Sequence, residues 1–525
     1  MPSLSARRAP VLVLALLAVL ASLLAAPSAG AVDRDDTAAE SAAEGAEDAP
    51  VEVSSPEAEQ ALDIAEDALE GEGDEDVDAT LALRELALRL DELEGADRVT
   101  AERIFARPTS PSDDDTYGPF PVSRICSPVV CVHYVKAGPE AATDAWAAKT
   151  LATTTSVHNR YVAAGYKAPK PDGTRGGDAR TDIYIANIGD RGLYGYCTTD
   201  ERKPFRAPYD RYAYCVVDNN YAEAGFAANT PDENLQVTVA HEYFHAVQYA
   251  YDFAEDAWFL EATAAWIEDE VYDSVDDNRQ YLAASPLRRP RLSMDRFNPN
   301  NGYHYGVWIF FRRLSERFPG TQGGLPTIVR DMWRRADGSG PARRNQYSWQ
   351  AVSSVLKARG TSAQREFSTF SAANRRPRKT YSEGAAYRAA PLAGRARVSR
   401  GLVRREVRLN HLSSATYRLT PVAALRAPRW KVRVKLDLAS ASRGSRAVIT
   451  TFFKNGTQKV QVVRPGARGN AQRAVPFSRS TVSFVEVTLV NASGRFRCWR
   501  GTAYSCQGRS RDDGQRQSLT ARAFR

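Results

Sequence analysis

The clearest chemistry in the sequence lies in five consecutive residues, His241-Glu242-Tyr243-Phe244-His245. On a helix, residues four apart share one face about one turn from each other, so both imidazoles reach a single ion at the usual Zn–N distance of about 2.0–2.1 Å. Glu242 projects beside them, placed to take a proton from a water that the ion has made acidic and to pass it to a leaving amine. The pattern predicts peptide-bond hydrolysis with one Zn2+, and two of the chain's six histidines lie in it. Val237, Val239, Phe244, Val247 and Tyr251 give the same segment an apolar face. The other histidines, His133, His158, His304 and His411, are scattered, and of these only His304 is given a candidate role.

A catalytic zinc takes three protein ligands and keeps one position open. Gln248 and Tyr251 stand where an H-x-x-G-x-x-H continuation would need glycine or histidine, so a third histidine of that kind is missing. The favoured third ligand is Glu261 in Trp258-Phe259-Leu260-Glu261-Ala262-Thr263-Ala264-Ala265-Trp266, a carboxylate among apolar neighbours that is costly to bury without a cation. Asp256 and Glu268 are the rivals. Glu268-Asp269-Glu270 reads as a solvated helix end, and Asp252, Glu255 and Asp256 read as a turn. Downstream, Gly302-Tyr303-His304-Tyr305-Gly306 offers three side chains that could donate to an oxyanion; Tyr305 is preferred, then Tyr303 and His304. Asp218-Asn219-Asn220 and Asp276-Asp277-Asn278 are weak calcium candidates that read more simply as turns.

HEYFHAVQY followed by WFLEATAAW resembles the gluzincin branch of zincin metallopeptidases, the branch of thermolysin and aminopeptidase N. More closely, HEYFHAVQY, YGVWIFFRRL and SAANRRPRKTYSEGAAY resemble a group of bacterial secreted zinc metalloproteases. The resemblance implies a zincin-like catalytic domain with His241, His245 and Glu261 on the metal, Glu242 as general base and a downstream Tyr or His as oxyanion donor. There are departures. Fifteen residues separate His245 from Glu261, and Ala265 stands where thermolysin-like enzymes carry an Asp behind a zinc histidine. No G-x-M-E-N string occurs to anchor a substrate amine, which favours an endopeptidase over an aminopeptidase.

The elements that must position these residues follow from the rest of the chain. Residues 1–31 carry Arg7 and Arg8, an apolar run from Val11 to about Leu24 and a small-residue Ala29-Gly30-Ala31 end, which predicts a cleaved signal peptide; a retained anchor is the rival. Residues 32–115 are expected to be an acidic, partly disordered pro-segment with one amphipathic helix built on Leu83, Leu86, Leu90 and Leu93; a plain linker is the rival. Residues 116–394 alternate short strands with helices and are read as the catalytic domain: a small mixed sheet, the active-site helix and a mainly helical second lobe. Residues 395–525 alternate polar and apolar positions with an Asn455-Gly456 turn signal and are read as an all-β sandwich. The fold class is therefore α+β.

Charge and cysteines bound the setting. Between Val32 and Arg107 there are 25 acidic and 6 basic residues, while the whole chain carries +7. The rest of the exported chain, without Arg7 and Arg8, is thus strongly basic, about +24, on the same count. Such a body suits an anionic cell-surface polymer or the leader itself; no nucleic-acid motif is present, and no second candidate span follows the signal peptide. The six cysteines fall into local couples, Cys126 with Cys131, Cys197 with Cys215, and Cys498 with Cys506, as expected of a disulfide-bonded, secreted protein. The leading reading is a secreted precursor of a zinc endopeptidase acting on peptides or proteins. The alternative is a non-catalytic surface- or polymer-binding protein on a zincin scaffold.

Overall fold

The computed structural model describes residues 54–71, 78–203, 206–298, 301–340 and 345–525. The expected signal peptide and the first part of the acidic segment lie outside these residues. Within them the leader forms three helices, α1 (Pro56–Glu70), α2 (Ala79–Arg89) and α3 (Gly95–Ile104), where one was expected. The composition of 56–70 suggests disorder, and the structure corrects that. Ala58, Ala61, Leu62, Ala65 and Ala68 recur on one buried face of α1 that packs on α2, and alanine combines the best helix propensity with room for close approach. Ser55 caps the first turn, with Pro56 at its start.

Five strands follow in the order β1-β2-β3-β5-β4: β1 (Val122–Cys126), β2 (Val130–Val135), β3 (Thr181–Ala186), β4 (Gly195–Thr198) and β5 (Tyr214–Asp218). The three inner strands run parallel and both edge strands antiparallel. Parallel strands need cover on both faces, and the period-2 alternation of side chains shows how it is supplied. Ile183, Ile185, Cys215 and Val217 belong to one core with helices α4 (Asp144–Ala163), α5 (Pro231–Asp252) and α6 (Ala257–Val271). Tyr184, Ala186, Tyr214 and Val216 face the other way and pack with Leu83, Leu86, Ile104 and Phe105 of the leader.

α5 starts at a capping box in which Thr230 and Glu233 satisfy each other's backbone N–H groups, with Pro231 in the first turn. A helical lobe continues with α7 (Trp308–Arg317), α8 (Thr327–Trp333), α9 (Ser348–Ala358) and α10 (Ala363–Ala373); a small hairpin, β6 (Thr321–Gln322) and β7 (Leu325–Pro326), precedes α8.

The C-terminal region is β-rich. A five-stranded sheet has the order β13-β12-β15-β10-β8, from β8 (Gly394–Val398), β10 (Ser413–Pro421), β12 (Ser445–Phe453), β13 (Gln458–Val463) and β15 (Val482–Asn491). A four-stranded sheet has the order β14-β11-β18-β9, from β9 (Val403–Leu409), β11 (Lys431–Asp437), β14 (Asn470–Pro476) and β18 (Gln515–Phe524). A two-stranded ribbon of β16 (Phe496–Arg497) and β17 (Arg509–Ser510) lies between β15 and β18 in the chain. Val432, Val434 and Leu519 of the smaller sheet share a core with Ile449, Val485 and Val487 of the larger. Asn455-Gly456 turns β12 into β13, and Gly456 sits at φ +82°, in the left-handed region.

Three disulfides join the expected couples. Cys126–Cys131 and Cys197–Cys215 link directly opposed residues on adjacent strands, and Cys498–Cys506 closes a loop in the β-rich region. Such bonds persist in oxidising compartments outside the cytosol. No helix among the described residues is long and apolar enough to cross a membrane.

Candidate metal centre and cleft

α5 carries His241 and His245 on one buried face, and the short turn to α6 brings Glu261 against them. One ligand atom from each of the three lies within 4.8 Å of the others. His241 Nε2 is 3.1 Å from Glu261 Oε2, and His245 Nε2 is 3.3 Å from Glu261 Oε1. The opposite ring nitrogens are held from behind. His241 Nδ1 lies 2.5 Å from Glu268 Oε1, and His245 Nδ1 lies 2.7 Å from Gln248 Oε1. The Gln248 amide nitrogen donates to Leu260 O and Thr263 Oγ1, so its oxygen must be the atom facing His245. An amide oxygen only accepts, and so Nδ1 of His245 carries a proton and Nε2 is the nitrogen that faces Glu261.

These residues fit a divalent cation on three grounds. Two imidazoles and one carboxylate are the donor set of catalytic zinc. Glu261 is fully buried, and its Oε1 and the facing His245 Nε2 make no aligned hydrogen bond. Charge is also unbalanced: burial would raise the Glu261 carboxyl, yet the charge of the nearby His245 and the His241 hydrogen bond hold it far below the usual carboxylate range. Burial likewise opposes charge on His241, but Glu261 and Glu268 overcome it and leave the ring well above its ordinary value; Glu261 does the same to His245. The site thus favours positive charge strongly enough to outweigh desolvation.

Beside His241 lies a cleft of about 240 Å³ lined by Gly195, Thr238, Glu242, Glu268, Tyr305 and Asp78, among others; His245 and Glu261 lie behind His241 and do not line it. Gly195 on β4 is there for space: a Cβ would stand 2.8 Å from Thr238 Cγ2 and 3.2 Å from Glu242 Cγ, so only glycine lets the strand pass this close to α5. Gly306 has a similar role behind Tyr305, where a Cβ would meet Tyr281 O at 2.6 Å. Burial keeps the Tyr305 phenol protonated far above the ordinary tyrosine range, so it remains a donor. Glu242 Oε2 accepts from Thr80 Oγ1 at 2.9 Å, and the Tyr305 hydroxyl donates to Asp78 Oδ2 at 2.7 Å.

The sequence reading of the neighbours needs corrections. Glu268 and Asp269 are not a solvated helix end: they are 4% and 2% exposed. Glu268 backs His241 on its Nδ1 side, and burial raises its carboxyl to about 7. Asp269 pairs with Arg312 at 2.7 Å. A further acidic group, Asp269, Asp276 and Glu383, is already ion-paired with Arg312 and Arg279. Asp256 is buried away from the histidines, accepting from Ser348 Oγ and from the backbone of Cys506 and Gln507.

Of the three downstream candidates only Tyr305 lines the cleft. Tyr303 is buried, and His304 packs on Phe297, its charge suppressed by burial to a pKa of about 4. The weak calcium candidates are hydrogen-bonded turns. Asp218 accepts from the N–H groups of Gly189, Asn220 and Tyr221, and Asp277 from Asn229 and Gln280. His133 pairs with Asp182, and His158 with Tyr243.

Sequence reasoning missed the roles of Glu268, which it named only as a rival ligand in a solvated helix end, and of Gln248, Thr80 and Asp78. Spacing could have found the first two, since Gln248 is three after His245 and Glu268 seven after Glu261, both on the same helix face.

No protein-family profile matches the chain, and no curated protein matches it. Solved structures with partial likeness include the pre-peptidase C-terminal domain of collagenase from Bacillus anthracis, at 7% identity and a TM-score of 0.15, covering 26% of this chain and 97% of that one. A family GH115 4-O-methyl-α-glucuronidase is similar at 10% identity and a TM-score of 0.14, covering 54% of this chain and 41% of that one.

Proposed function

We propose that the protein is a secreted zinc metallopeptidase of the gluzincin kind, an endopeptidase with a zincin-like catalytic lobe. The observation that carries this is the buried convergence of His241, His245 and Glu261, with a second carboxylate, Glu242, beside it at the cleft. When bound, zinc would polarise a peptide carbonyl and make water a nucleophile near neutral pH. The chain's own groups do the rest. Glu242 lies at the cleft wall, able to take a proton and return it to the leaving nitrogen. Tyr305, a protonated phenol beside His241, donates to the oxygen that gains negative charge. Glu268 and Gln248 fix the tautomer and angle of the two histidines. The three disulfides agree with an exported protein.

The test is metal analysis of the full-length folded protein together with casein hydrolysis. One zinc per chain and hydrolysis abolished by phenanthroline are expected; a folded chain that takes up no zinc contradicts the reading.

A further inference from the structure

The leader reaches the cleft with more than shape. Asp78 and Thr80 sit at the start of α2, 227 and 162 residues away in the chain from Tyr305 and Glu242, whose polar atoms they occupy. Thr80 Oγ1 also accepts from the N–H of Cys197, at 3.0 Å. Cys197 lies on β4, the last strand of the sheet, whose outer N–H groups are what an extended peptide laid along the cleft would pair with. The oxyanion donor, the general base and the strand edge are thus all engaged by one turn of helix. Asp78 adds a carboxylate that feels Glu261 and Glu242, and its own cap bond from Leu81 N holds it in place.

α2 is also hard to dislodge. Arg84, 2% exposed, donates to Phe253 O and Glu255 O at 2.6 Å each, just past the end of α5. Leu81 belongs to the same core as α5 and α6, and Leu83 and Leu86 cover Tyr184, Tyr196 and Val216 on the sheet. Cutting the chain beside α2 would leave all of these contacts intact.

We propose that Asp78 and Thr80 form an autoinhibitory latch, and that the site opens when the start of α2 withdraws rather than when the chain is merely cut. This rests on the metallopeptidase reading above. It makes this chain's own leader one wall of the cleft, held by hydrogen bonds to the groups that would act on substrate.

The experiment compares full-length protein with the double variant Asp78→Ser, Thr80→Val. Serine keeps an N-cap oxygen but shortens the reach to Tyr305, and valine keeps the shape of threonine without its hydroxyl. Three quantities are read: zinc per chain, the rate at which phenanthroline strips it, and casein hydrolysis. Equal zinc is expected, with stripping and hydrolysis both faster in the variant by about tenfold or more, because the competent fraction rises. Thr80→Ser, which keeps the hydroxyl, is expected to match the wild-type rates. Should the double variant not fold, Asp78→Ser alone carries the same expectation. Equal rates in zinc-loaded wild type and variant overturn the latch and leave the metallopeptidase reading standing. Absence of zinc from both folded chains removes that reading and the latch with it.

Discussion

The molecule buries histidine against carboxylate in two places, and the two are built differently. In the β-rich region His411 is fully buried, with Asp513 Oδ1 2.6 Å from Nδ1 and Asp295 Oδ1 2.9 Å from Nε2. Asp295 also accepts from Ser505 N and Oγ, and Asp513 from the His411 N–H. One imidazole stands between two carboxylates, so a proton on the ring gives each of them a charged partner. Burial opposes that proton, but the two aspartates prevail and lift His411 to about 10. The result is a fixed cation joining the β-rich region to the loop at Asp295. In the cleft, two imidazoles converge on Glu261 while Glu268 and Gln248 hold their outer nitrogens. A proton between them would satisfy one pair and leave the other lone pair facing a carboxylate; a divalent ion satisfies all three donors. Buried histidine beside an acid is therefore not by itself a sign of metal. The ratio of imidazoles to carboxylates, and what backs each ring, separates a structural ion pair from a candidate centre.

That contrast can be broken by substitutions that load one cluster and spare the other. Glu242→Gln, made in the latch-opened background, should reduce casein hydrolysis by about 10²- to 10⁴-fold while zinc content and thermal stability stay unchanged. Tyr305→Phe in the same background should lower kcat by about 10²- to 10³-fold with little change in zinc. His411→Gln should do the reverse: about 3–5 kcal/mol of stability lost in denaturant unfolding, because two carboxylates remain without their cation, and zinc content unaffected.

The pH dependence has the same origin. The pKa of His411 is raised in the folded state from an ordinary value of about 6.5. Its stabilisation is thus complete below about pH 6.5 and is lost as pH rises through about 10, so melting curves of wild type and His411→Gln should converge at alkaline pH. The smallest effect is expected for Glu268→Gln, which should weaken zinc binding by about 10- to 100-fold in a competition titration.

Much of this was legible in the sequence because it is local. The pair His241 and His245 needs only the helical period, the entry of α5 needs only Thr230-Pro231 and Glu233, and the Asn455-Gly456 turn and the three cysteine couples are likewise encoded within a few residues. What escaped depends on distant partners. Glu268-Asp269-Glu270 looks like a solvated run until His241 and Arg312 are known to face it. The 56–70 segment looks too polar to fold until α2 provides a surface for its alanine stripe. Asp78 and Thr80 carry no motif at all; their meaning comes from Tyr305 and Glu242, far along the chain.

The central claim concerns the ion rather than the fold around it. Metal analysis of purified full-length protein beside His245→Ala, with both shown folded by circular dichroism, tests it most directly. One tightly held zinc per wild-type chain and none in the variant is the predicted result. A folded wild type without zinc, or a variant that retains it in full, would contradict the account.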